Sequence, residues 1–151
     1  MIEYVKAGFE FWDKYSNNKD VKEALYDNIK RELNFNLEIM EEINKPKNKD
    51  ITQLVLLFKT DFYDYIQNSS INIKSIKTEK TIDVNKLIDD ERLTDKRFRN
   101  WVKNIDSDIE LIEKIYLKIT ILKSLVSVGI NKREVSYRYL KFLMLMLKRV
   151  L

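Results

Sequence analysis

FRNWVKNIDSDIELIEKIYLKITILKSLV, residues 98–126, carries the most regular pattern in the chain. Phe98, Ile105, Ile112, Ile119 and Val126 recur at intervals of seven, and Val102, Ile109 and Tyr116 form a second apolar set between them. That interval keeps one apolar seam turned toward a neighbouring helix, so the stretch reads as a helix packed in a bundle. Thr94 is suited to cap its start and Gly129 to end it in the left-handed conformation. The spacing therefore predicts one long helix around residues 94–128, provided that Asp106-Ser107-Asp108 does not break it.

The same period recurs outward from this seam. Residues 2–15 place Ile2, Val5, Phe9 and Trp12 on one side, and residues 21–43 step through Val21, Leu25, Ile29, Leu33, Leu37 and Met40. Pro46, in a charged KPKNK stretch, ends the second of these. Asp50 is placed to cap a further helix whose stripe is Ile51, Leu54, Val55, Phe58, Phe62, Tyr65 and Ile66, closed by Asn68-Ser69-Ser70. Residues 71–84 alternate weakly and fit an extended segment or short hairpin, or equally an ordered loop or short helix. Asn131 and Glu134 resemble a capping box that opens a last helix running to the C-terminus.

Composition agrees with helices. Gly8, Gly129 and Pro46 are the only glycines and proline, too few turn formers for a sheet protein of 151 residues. Apolar residues are 44% and charged residues 34%, a globular balance. The expected architecture is all-α, an up-and-down bundle of four to five helices forming a single domain over residues 1–151. Lys, Ile and Asn abound, while Ala7 and Ala24 are the only alanines. Such usage fits AT-rich coding in a low-GC bacterium or its phage, a setting in which a role in phage–host conflict is conceivable.

Much chemistry is excluded by missing side chains. The chain has no Cys and no His, which removes thiolate and imidazole metal ligands, cysteine nucleophiles and Ser-His triads. Phosphate cradles need clustered glycines, and the two present stand alone. Carboxylates at helical spacing (Asp61 with Asp64, Asp106 with Glu110, Glu110 with Glu113) offer a Mg²⁺ or Mn²⁺ hydrolase as a weak third reading. Ion pairs such as Glu110 with Lys114 are the simpler use of them. The expectation is no enzyme, no cofactor, no metal and no small-molecule substrate. Glu3 and Glu10 interrupt the first apolar stretch, and no apolar run approaches the ~20 residues of a membrane span, so a cytoplasmic chain is expected.

Two binding surfaces remain. Residues 1–64 hold 10 basic and 13 acidic side chains, whereas residues 65–151 hold 18 and 11, a swing from −3 to +7. Arg92, Lys96, Arg99 and Lys103 fall along one helical face, roughly extended by Lys114 and Lys118, and Arg138 and Lys141 add charge on the last helix. Such a row suits a phosphate backbone. The run YLKFLMLMLKRVL, residues 139–151, is apolar around most of its helix, which implies contacts on two sides. Leu140, Met144, Leu145, Leu147 and Leu151 are the candidate protein interface, Met144 and Met146 being adaptable contact residues. The leading reading is a non-catalytic bundle acting through protein–protein contacts, as subunit, adaptor, inhibitor or homo-oligomer. The alternative is a nucleic-acid-binding subunit using both basic helices.

Overall fold

The computed structural model describes residues 19–45, 51–69, 71–75, 81–83, 86, 96–129 and 134–150. Among these the chain is all-α, with six helices and no strand: α1 Lys19–Ile43, α2 Ile51–Leu56, α3 Asp61–Gln67, α4 Lys96–Val102, α5 Asp108–Ser127 and α6 Glu134–Val150. Of the weakly alternating segment, the described residues show a 3-10 turn at Ile73–Ser75 and an antiparallel bridge of Thr81 with Ser107. The expected helix at residues 2–15, Arg92, Thr94, Pro46, Asp50, Asn131 and Leu151 lie outside the described residues.

The fold divides into two compact units, one comprising residues 1–36 and 59–78, the other residues 37–58 and 79–151. In the first, Leu25, Ile29 and Leu33 of α1 are buried in the expected register, as are Phe62 and Ile66 of α3. The second holds the seam. Phe98, Ile105, Ile112 and Ile119 are buried, with Val102, Ile109 and Tyr116 beside them, while Val126 is half-buried.

Two expected helices are each interrupted, and side chains explain both breaks. The helix expected over 94–128 stops at Val102 and restarts at Asp108. Ser107 lies in extended conformation (φ −137°, ψ 157°), and its hydroxyl accepts the Glu110 amide at 3.3 Å. The Glu110 carboxylate reaches back to accept the Asp106 amide at 3.2 Å, and the Asp106 carbonyl accepts the Ile82 amide at 2.8 Å. Backbone groups freed by the break are thus re-paired, and a continuous helix loses its advantage.

The helix expected over 51–66 breaks at residues 57–60. Buried Asn36 accepts the Lys59 amide at 2.7 Å and donates to the Lys59 carbonyl at 2.8 Å, replacing a helical turn with a side-chain clamp. Glu32 then accepts the Phe62 amide at 2.9 Å and lies 3.4 Å from that of Tyr63, placing a carboxylate at the start of α3.

In the second unit, α6 packs along α5. Leu140, Phe142, Leu143, Met144, Met146 and Leu147 are all buried. Its opposite flank faces the end of α1 across a shallow groove of about 50 Å³, lined by Leu37, Met40, Met144 and Leu145 and bridged by Lys148 on Glu41 at 2.6 Å. Contacts on two sides are what the nearly all-round apolar helix implied. At the far end of α5, Gly129 has φ +81° and donates to the Val126 carbonyl at 3.0 Å, the expected left-handed termination.

Candidate functional site

Three helices of the second unit meet at an aromatic cluster. Phe98 and Trp101 are three apart on α4, and Tyr139 and Phe142 three apart on α6, so each pair projects from one side of its helix. Phe98 stands edge-on to Phe142 with centroids 4.9 Å apart, and Trp101 stacks on Tyr139 at 5.6 Å and 21°. Phe98 and Phe142 are buried, whereas Trp101 and Tyr139 are half-buried at the margin of the cluster.

Cations line that margin. Lys114 and Lys118, one turn apart on α5, place their Nζ atoms 4.9 Å and 4.7 Å from the Trp101 ring centre. Lys118 also lies 5.2 Å from the centre of Tyr139, and the Arg138 guanidinium lies 5.4 Å from that of Phe142. Attraction to the ring quadrupole, about 0.5–1 kcal/mol per contact at exposed sites, holds these charges in place. It does not neutralise them. Neither ammonium has a carboxylate within salt-bridge distance among the described residues. Glu110, the partner that spacing offered Lys114, is turned to the Asp106 amide instead. Burial, then the charge of Lys114, holds the Lys118 ammonium below its ordinary 10.5. Two like charges thus share one half-buried ring.

The expected basic residues are only partly gathered here. Arg138 joins the cluster, Lys96 is exposed at the start of α4, and Lys103 is exposed in the turn after it. Arg99 is half-buried. Lys141 is exposed but belongs to the groove against α1, away from Tyr139. Lys114 and Lys118 prove more central than the α4 row they were read as extending. No local pattern marks this, because Trp101 and Tyr139 are brought beneath them by the break at Ser107 and the packing of α6.

The expected protein interface is placed differently. Leu140, Met144 and Leu147 are at most 2% exposed, because α6 is enclosed by α5 on one flank and the end of α1 on the other. Of that set Leu145 alone, among the described residues, keeps partial exposure, at the groove. Instead exposed apolar side chains lie on and just after α5: Leu117 at 50% and Ile121 at 37% on the helix, and Val128 at 72% at its C-cap.

Two of the carboxylate pairs are occupied within the fold, Asp64 accepting the Thr60 hydroxyl at 2.7 Å and Glu110 the Asp106 amide. Among the described residues no group of three or more acidic side chains gathers to hold a metal ion, and no helix is long and apolar enough to cross a membrane. No protein-family model, curated protein or solved structure matches this chain.

Proposed function

We propose that this chain is a non-catalytic helical protein that binds nucleic acid by its phosphate backbone. The observation that carries the reading is the pair Lys114 and Lys118, without a carboxylate at salt-bridge distance among the described residues, both over Trp101 with Arg138 in the same cluster. Phosphate oxygens would replace water around ammoniums that have no carboxylate partner among the described residues, and the rings prevent those side chains from dispersing. The excess of basic residues after residue 64 adds a long-range attraction in the same direction.

The test is fluorescence anisotropy with labelled DNA and RNA of mixed sequence. If three phosphates are neutralised, the affinity falls about 40-fold between 50 and 200 mM salt, from a slope of about −0.9 per phosphate. Lys114→Gln with Lys118→Gln should remove most binding while leaving the helical circular dichroism intact. Absence of binding at about 50 mM salt overturns the reading.

Protein–protein contact remains a second reading, favoured by exposed Leu117 and Ile121 on α5 and Val128 at its C-cap. Light scattering after size-exclusion chromatography decides it. A strict monomer that recovers no partner in a pull-down counts against it.

A further inference from the structure

We infer that the nucleic acid this face accepts is double-stranded, held from outside by its phosphates, rather than an unpaired strand whose bases stack on the aromatic cluster. The inference rests on the nucleic-acid reading above and narrows it. Proteins that hold single strands offer open aromatic faces, each worth ~1–3 kcal/mol per stacked base. Every ring here is already engaged. Phe98 and Phe142 are buried against each other. Trp101 is stacked on Tyr139, tilted against Phe98 at 6.2 Å, and covered by the two ammoniums. Tyr139 is shared between Trp101, Phe98 and Lys118.

A base could reach Trp101 only by displacing a lysine that supplies the binding charge, or by unstacking Tyr139. Stacking and phosphate attraction therefore compete at this site instead of adding. A duplex asks for neither displacement. Its bases are paired inside, its phosphates face outward at one per ~1.7 Å of axis, and its condensed counterions are released when cations bind. The rings serve to aim cations at phosphates.

The experiment compares a 24-base-pair DNA duplex with each of its separated strands, and repeats the comparison in RNA, by anisotropy at 50 mM salt. The expected result is at least tenfold tighter binding of duplex than of either strand. Trp101→Phe, which keeps an aromatic support for the lysines, should leave duplex affinity within about twofold. Lys114→Gln, Lys118→Gln and Arg138→Gln should each weaken it. Equal or tighter binding of single strands, or a large loss of single-strand affinity on Trp101→Phe, overturns the duplex assignment and leaves phosphate binding standing. No binding of either form overturns both.

Discussion

Replacing Asn36 with alanine would remove both hydrogen bonds that hold the break between α2 and α3. The side chain is fully buried and satisfies the Lys59 amide at 2.7 Å and the Lys59 carbonyl at 2.8 Å. Each bond contributes ~1 kcal/mol net, and the two backbone groups left behind add a desolvation cost of ~1–3 kcal/mol each where water cannot reach them. Lys59 itself is exposed, so its backbone recovers part of that cost, and alanine is the better helix former by a few tenths. The balance is a loss of about 2–3 kcal/mol, or roughly 5–10 °C in Tm for a chain of this size. Thermal and urea unfolding followed at 222 nm measure it.

Asn36→Asp sharpens the test. A carboxylate still accepts the Lys59 amide but opposes the Lys59 carbonyl, so this variant should be no more stable than Asn36→Ala at pH 7. Protonation restores a donor, which raises the carboxyl pKa in the folded state, so stability relative to Asn36→Ala should recover as pH falls through that pKa. A loss below about 0.5 kcal/mol for Asn36→Ala, or no acid recovery for Asn36→Asp, would refute the clamp.

Other substitutions probe the remaining arguments. Ser107→Ala removes the α5 cap and should cost about 1 kcal/mol in urea unfolding. Gly129→Ala meets no atom within 4 Å but forces φ +81° on a residue with a Cβ, for a loss of about 1–2 kcal/mol by the same measurement. Lys118 has its folded pKa lowered by burial and by Lys114, so between that pKa and 10.5 the unfolded chain holds more protons and stability rises with pH. Lys118→Met keeps the stem over the rings and should flatten that rise in urea titrations; Tyr137, whose pKa burial raises, opposes the rise as pH approaches 10 and does so equally in both proteins.

Much of the fold was legible because the core faces are long and regular. Leu25, Ile29, Leu33 and Met40 were read in the register in which they are buried, with Leu37 half-buried between them, and the seam Phe98, Ile105, Ile112, Ile119 is internal throughout. Periodicity did not locate the two breaks, since apolar spacing continues across both. The signal for one was present: Ser107 followed by Glu110 is a capping box in the middle of the seam. The other rests on Asn36 and Glu32, 23 to 31 residues from the groups they cap, and has no local mark. The site was the least legible part. A basic row along α4 is visible in the sequence, but Lys118 over Trp101 and Tyr139 depends on three helices meeting. The C-terminal run implied contacts on two sides and was assigned to an interface; Leu140, Met144 and Leu147 are instead buried within the chain.

The pairing of α5 with α6 also bears on the order of folding. These helices adjoin in sequence as well as in space, so their docking costs little loop-closure entropy, whereas the Asn36 clamp and the Lys123 ammonium on the Phe58 carbonyl close loops of 23 and 65 residues. A nucleus built on the α5–α6 hairpin would form before either long-range contact. Truncations at Leu143 or Ile119 should then slow refolding, while loss of Asn36 should mainly hasten unfolding, so the two parts of the chain would mark opposite arms of a chevron plot.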